Sequence, residues 1–271
     1  MSLMRNIKKL IKNLLYKQKI RVGKPVEKQP LLDFLRSIRP ITTQFKLIRI
    51  GGTSDGGYLV PDDLDQIETC FSPGVSNVAE FERDLTERGI TCYLADYSVD
   101  GPPLKHPMID FEKKYIGNKN TDIYMTLDHW MTLKTSDPND YILQMDIEGS
   151  EYEVIHDVSL DTLKKFRILL IEFHGLDYLV DEKGFELIRL TFEKLLKAFE
   201  IVHIHPNNCC EPAYYEEVEI PVVMEFTLLR KDRIKSRTAT RSFPHPLDQK
   251  NVASKQDVRL PKLWYNDSES H

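Results

Sequence analysis

The sequence predicts an α/β protein in which a mostly parallel sheet is covered by helices on both faces. Three observations carry that expectation. From residue 67 onward, short apolar runs alternate with amphipathic runs of helical period; several apolar runs end in an acid or a glycine; and the alternation lasts to about residue 230. Strands separated by helical crossovers lie parallel and are buried on both faces, and their ligands bind beyond the strands' carboxyl ends.

Taken in order, the opening segment places Leu3, Met4, Ile7, Leu10, Ile11, Leu14 and Leu15 at helical spacing with lysines mostly opposite, which predicts a basic amphipathic helix. Such a helix either packs its stripe on the domain or lies on an anionic membrane surface or a partner; a peripheral membrane contact would use residues 1–24. Lysines interrupt every apolar stretch there, so a signal peptide is not expected. Residues 31–39 read as a second helix stopped by Pro40. IRIGGTSDGGYLV reads as strand, glycine-rich loop and strand, either a plain hairpin or backbone held close to a ligand. IETCFSPG is a strand entering a loop, AEFERDLTERG a helix closed by glycine, and ITCYLAD a strand with an acidic end. MIDFEKKYI supplies another strand, TLDHWM a crossover, YILQMDI a buried strand, and SEYEVIHDV with SLDTLKKF helical turns. RILLIEFH is a strand, GFELIRLTFEKLLKAF an amphipathic helix, and EIVHIH and VVMEFTLLRK the last two strands. The expected organisation is a helical extension over residues 1–44, a central domain over 45–233 and an irregular tail over 234–271.

Composition narrows the function. No apolar stretch approaches the eighteen or so residues of a membrane span, and 41% hydrophobic with 29% charged residues suits an enzyme. Residues 1–24 hold eight basic residues and no acid, so the remaining chain carries net −13 against −5 for the whole, which speaks against nucleic acid as a partner. Cys70, Cys92, Cys209 and Cys210 form no CxxC pair; Cys70 and Cys92 read as buried strand thiols and the set as belonging to a reducing, cytoplasmic compartment, peripheral to a membrane if the first helix binds one.

Two segments carry the chemistry. In CFSPGVSNVAEFE a glycine follows a strand and a helix follows the glycine, which brings backbone donors to a ligand, although GxGxxG is absent. Asp96, about twenty residues on, closes the next strand, where it either accepts from two ribose hydroxyls or is an ordinary strand-end acid. In YILQMDIEGSEYEVI, Asp146 and Glu148 alternate onto one face of an extended segment, and Gly149 turns the chain into a helix. Ser150 and Glu153 have capping-box spacing, so Glu151 and Glu153 are expected to complement the helix start.

LQMDIEGSEYEVI, with TLDHW before it and CFSPGVSNVAEFERDL upstream, resembles the FkbM-like and related methyltransferase-like Class I S-adenosylmethionine-dependent methyltransferases over roughly residues 45–231. The resemblance implies a Rossmann-like, seven-stranded, mostly parallel sheet with an antiparallel last strand. S-adenosyl-L-methionine would lie across the first, second and fourth strands. Gly74 would sit under its methionine portion, Asp96 would hold the ribose, and Asp146 would lie near the ammonium or a metal. Ser72, Glu82 and Tyr97 complete the cofactor set, with Asp55 and Tyr58 as a lid over the cofactor. Ser72 departs from the glycine often found at the start of that loop.

The remaining polar groups bear on the acceptor. Glu172 and His174 alternate at one strand end, and His203, His205, Asn207 and Asn208 follow the next strand. Asp146, Glu172 and His174 are the expected ligands of a divalent cation, magnesium, manganese or calcium, which would lower the pKa of an acceptor hydroxyl. His174, Glu148 and His205 are the catalytic candidates, a histidine taking the proton if no cation does. Any one of these histidines could equally bond a loop. Asn207 and Asn208 are expected at the substrate, and Glu225 is read as an ordinary strand residue. The expected activity is O-methylation of a sugar or glycan hydroxyl. A small metabolite or protein acceptor, or an inactive cofactor-binding scaffold, are the competing readings; a nicotinamide-dependent dehydrogenase lacks its glycine fingerprint.

Overall fold

The computed structural model describes residues 23–53, 55–135 and 140–266; the basic amphipathic segment lies outside them. Helix α1 (Lys28–Ser37) presents Leu31, Phe34 and Leu35 inward and is followed by strand β1 (Ile41–Thr43). Strands β2 (Leu47–Ile50) and β3 (Tyr58–Pro61) form the antiparallel hairpin that IRIGGTSDGGYLV predicts. Then come β4 (Thr69–Pro73), α2 (Glu80–Glu87), β5 (Thr91–Ala95), β6 (Ile109–Glu112), β7 (Tyr115–Gly117), β8 (Tyr124–Thr126) and α3 (Leu127–Lys134). The second half holds β9 (Tyr141–Met145), α4 (Glu151–Asp157), α5 (Leu160–Leu163), β10 (Phe166–His174), α6 (Glu182–Leu195) and β11 (Phe199–Pro206). It ends with β12 (Ala213–Tyr215), β13 (Val218–Ile220), β14 (Val223–Arg230) and β15 (Arg237–Ala239).

Seven strands form the central sheet in the order β11-β14-β10-β9-β4-β5-β6. All neighbours are parallel except β14, which runs antiparallel to both β10 and β11, as the resemblance implies for the last strand. β10 is central and apolar along almost its whole length, with eight of its nine residues buried, the pattern of a strand covered on both faces. One face packs Phe71, Leu143, Leu169, Ile171 and Phe226 against α1, α3, α4 and α6. The other packs Cys70, Cys92, Ile142, Ile168 and Leu170 beneath the β2–β3 hairpin and α2. The thiols of Cys70 and Cys92 are buried, as expected of strand residues.

MIDFEKKYI is not one strand. Lys114 N donates to Glu112 O (2.8 Å), bending the chain between β6 and β7, and β7 pairs in parallel with β8 outside the main sheet. The bend brings Tyr115, Ile116 and Tyr124 over the carboxyl end of β5.

The last described stretch is bolted to the sheet rather than hanging from it. β15 pairs with β1, Asp248 accepts from His203 Nε2 (2.8 Å), and Asn208 binds Val252 N (2.7 Å), Val252 O (2.9 Å) and Gln256 O (3.2 Å). Leu260 and Trp264 enter the core, and the Trp264 indole donates to Glu219 O (3.0 Å). Among the described residues no helix is long and apolar enough to cross a membrane.

Trp264 is 1% exposed, so Trp264→Ala should lower stability by about 3–5 kcal/mol through the lost ring and the cavity left behind. Urea unfolding of the full chain reads this; a change below about 1 kcal/mol would mean that the tail is not part of the folded unit.

Candidate functional site

A cavity of about 610 Å³ lies over the carboxyl ends of β4, β5 and β9. Its floor is made possible by Gly74, whose φ of 88° is open chiefly to glycine and whose absent Cβ would run into the carbonyl of Asp146. Gly74 N donates to Ala95 O (2.9 Å), drawing the β4 loop towards β5. Asp96, at the end of β5, gathers this loop and its own: Oδ2 accepts from Ser76 N (2.9 Å), and Oδ1 from Ser98 N and Ser98 Oγ (both 2.7 Å). Each carboxylate oxygen offers two lone pairs, so Oδ2 retains one for a ligand.

Ser72 lies below the cavity, fully buried. Its hydroxyl is bonded to Glu82 Oε1 and Gln144 Oε1 (2.6 Å), and Gln144 Nε2 donates to the Tyr58 hydroxyl (3.0 Å). One hydroxyl proton cannot serve two acceptors, so a second proton is required, from a neutral Glu82 or from the Gln144 amide turned nitrogen-first. Burial pushes the Glu82 carboxyl up, consistent with a neutral acid donating to Ser72. With Glu82 neutral, donation runs from Glu82 through Ser72 and Gln144 to the accepting Tyr58 hydroxyl, and Tyr58, Glu82 and Gln144 all line the cavity. Ser72 thus supports the wall rather than forming it, and so does Tyr97, half-exposed with its ring 5.4 Å from that of Tyr115. Asp55 and Gly56, from the glycine-rich loop, form the cavity's side.

At the β9 end the structure corrects the expected geometry. β9 stops at Met145, and Glu148 (φ 56°) and Gly149 (φ 101°) turn left-handed, so Asp146 and Glu148 do not alternate along a strand. They converge all the same: one atom each of Asp146, Glu148 and His174 lie within 4.8 Å of one another. The capping box does not form either, since the Ser150 side chain makes no cap bond. Instead Glu151, wholly buried, accepts from Ile147 N (3.0 Å) and Gly149 N (3.1 Å) and contacts His174 Nδ1 (3.2 Å). His174 Nε2 is left facing Glu148 Oε2 (3.6 Å), Asp146 Oδ1 (3.8 Å) and Glu172 Oε1 (3.8 Å). Burial pushes the Asp146 carboxyl up to about 7, with Glu148, Glu151 and Asp55 adding to the rise against His174. Burial pulls the His174 imidazole down, but the bond to Glu151 and the charges of Asp146 and Glu148 more than reverse it, so its pKa is raised.

Beyond β10 the expectations fare less well. Glu172 is 3% exposed, bonded by Asn207 Nδ2 (2.9 Å), and is replaced by Glu148 in the compact metal-type cluster. His205 is no base for the cavity: it is buried on β11, the sheet's edge beyond β14, and burial lowers its pKa. Asn208 is not free for a substrate, because its amide grips the tail at residues 252–256; Asn207 is used by Glu172 and by Cys209 N (2.9 Å). Glu225 is not an ordinary strand residue. It sits buried directly across from Glu172, its Oε1 accepting from Asn251 Nδ2 (2.8 Å), whose other bond reaches Asp55 Oδ1 (3.1 Å). Sequence reasoning missed Gln144, Glu151 and Asn251. The polar Gln144 inside YILQM was a readable signal, whereas nothing around Asn251 distinguishes it.

Residues 104–198, about a third of the chain, match the model of the methyltransferase FkbM domain. That match makes the chain a methyltransferase, with S-adenosylmethionine implied as methyl donor. No curated protein is significantly similar in sequence. Among solved structures it is similar to 23S rRNA methyltransferase ErmE, with 12% identity over 77% of this chain and 70% of that one and a TM-score of 0.34. It is also similar to methyltransferase CalO6, with 11% identity over 61% of this chain and 58% of that one and a TM-score of 0.28.

The buried Glu225 generates a pH dependence of its own. Burial lifts its carboxyl from 4.5 to about 7, against the pull of Asn251, His203 and Arg49. Between those values the unfolded chain releases a proton that the folded chain keeps, so stability falls as pH rises, by about 3 kcal/mol from this group. Glu225→Gln should therefore gain on the parent protein from pH 5 to 7 in urea unfolding and level off above; parallel curves would contradict the assignment.

Proposed function

We propose that the protein is an S-adenosylmethionine-dependent O-methyltransferase acting on a sugar or glycan hydroxyl, with a divalent cation held by Asp146, Glu148 and His174. The observation that supports this most is the convergence of those three residues, of which Asp146 and Glu148 line the cavity. The donor set fits the group. Two carboxylates and an imidazole suit magnesium or manganese, the buried Asp146 Oδ1 has no hydrogen-bond partner, and Glu151 on Nδ1 leaves Nε2 as the ligating nitrogen. Nε2 lies 3.8 Å from Asp146 Oδ1 and 3.6 Å from Glu148 Oε2, close enough for one ion to draw all three atoms to it. Calcium is the poorer candidate, since it takes six to eight oxygens.

The chain's own residues divide the work. The Gly74 loop admits the methionine portion of the donor against backbone. Asp96 Oδ2 accepts from a ribose hydroxyl, and Tyr115, Ile116 and Tyr124 offer an apolar wall. S-adenosylmethionine supplies the electrophilic methyl sulfonium. A cation at Asp146, Glu148 and His174 would lower the pKa of an acceptor hydroxyl and orient it towards that methyl. In the absence of a cation, His174 Nε2 is the group placed to take the hydroxyl proton, with Glu151 steadying the imidazolium. The sugar class rests on the resemblance of DIEGSEYEV and its flanks to the FkbM-like group.

A labelled-methyl assay against sugar and glycan panels tests the reading, with manganese binding followed by electron paramagnetic resonance. His174→Ala should lower transfer at least 100-fold while leaving donor binding within threefold, and Asp146→Asn should release bound manganese. Unchanged transfer after dialysis against a chelator would remove the cation and leave His174 as base. No binding of the donor at millimolar concentration would overturn the whole assignment.

A further inference from the structure

The glycine-rich loop between β2 and β3 is tied at its base and at its tip by different parts of the chain. At the base, Arg49 Nε donates to Gly52 O (2.7 Å) and Gly51 N donates to Asp84 Oδ2 (2.8 Å). At the tip, Asp55 Oδ1 accepts from Asn251 Nδ2 (3.1 Å), and the same amide donates to Glu225 Oε1 (2.8 Å) on β14.

The loop lies on the donor side of the cavity. Gly52 has no room for a side chain beside the Glu80 carboxylate, and a Cβ at Gly56 would lie 3.3 Å from Val78 Cγ1. Glu80 and Asp84 are on α2 and Val78 just precedes it, so the loop rests on the segment that runs on from Gly74 and Ser76. That segment meets Asp96 through Ser76 N, and Asp55, Gly56, Gly74, Ser76 and Val78 all line the cavity.

Asn251 is 7% exposed and is not itself part of the cavity lining. It reaches the site through Asp55. Its own place is fixed from several sides: Asn208 grips the next residue at Val252 N (2.7 Å) and Val252 O (2.9 Å), and Asp248 is bonded by His203 Nε2 (2.8 Å) and His245 N (2.7 Å). The tip of the loop is the opposite case, since Asp55 is exposed and is flanked by Gly51, Gly52, Gly56 and Gly57. Glycine loses more conformational freedom than any other residue when it is ordered. A tie made in advance by the tail removes that cost from ligand binding.

We propose that Asn251 is a positioning residue for the methyl donor: by holding Asp55 it keeps this wall of the cavity against the β4–α2 segment, so that a tail outside the matched residues 104–198 sets donor affinity. This rests on the methyl-transfer reading of the cavity and adds to it a residue that acts only through another.

Calorimetric titration of the full chain with S-adenosylhomocysteine tests the proposal. Asn251→Ala should weaken binding by about fivefold or more, and Asn251→Asp, which keeps the shape but turns an oxygen towards Asp55 and Glu225, should do the same. Asp55→Ala, a change on an exposed loop, should lose at least as much. Adding Asn251→Ala to Asp55→Ala should then cost less than about twofold further, because the tie is already gone. A tail that merely supported the fold would give the same loss in both backgrounds. Parent-like affinity in Asn251→Ala or in Asp55→Ala, or an equal loss from Asn251→Ala with and without Asp55, would overturn the proposal. Failure of the parent chain to bind S-adenosylhomocysteine would instead sink the methyl-transfer reading, so the two failures are told apart.

Discussion

The site depends first on a single buried carboxylate. Glu151 has no exposure to solvent, yet it joins three separate groups: the amides of Ile147 and Gly149, and the imidazole of His174. An isolated buried carboxylate is costly by several kcal/mol, and these contacts are what offset it. In return the left-handed turn at Glu148 and Gly149 is fixed to the end of β10, which no backbone ladder bond could do past Met145. Without that tie Asp146 and Glu148 would be loop residues near a histidine. With it they share one small space with His174 Nε2.

The same economy governs the rest of the carboxyl edge. Several buried acids there are bonded, Glu82 to Ser72, Asp96 by three donors from its flanking turns and Glu225 by Asn251, whereas Asp146 Oδ1 and Glu172 Oε2 have no hydrogen-bond partner. The apolar faces of the sheet carry the stability, which leaves the edge free to hold groups that favour a ligand over the fold. Burial raises the pKa of Asp146, Glu172 and Glu225 together, and neighbouring acids add to the rise.

Much of this was legible because it is periodic. Strand and helix alternation gave the parallel sheet, and the acid ending YILQMDI and the glycine after CFSP marked the ligand edge, since parallel strands bring their ends together. Pairings made by conformation rather than period were not legible. Glu151 looked like a helix-start residue because capping spacing is local, whereas its partners depend on a left-handed turn and on a strand that begins fifteen residues later. Asn208 looked free because a polar residue after a strand does not announce that a tail forty residues downstream will occupy it, and Asn207 because its partner Glu172 lies on a different strand.

That tail changes what the active edge is. In a parallel sheet the ends of β10 and β11 would be open, and β14, running the other way, begins there with its own buried acid at Glu225. The chain closes this end with its last described segment, held by Asn208, by His203 through Asp248 and by Trp264 in the core. Asn251 is the point of contact with the chemistry, since its one amide nitrogen bridges Glu225 to Asp55 on the cavity wall. A segment with little regular structure therefore helps set the position of the glycine-rich loop, and Asp55 on the cavity wall is held by a residue nearly two hundred positions away.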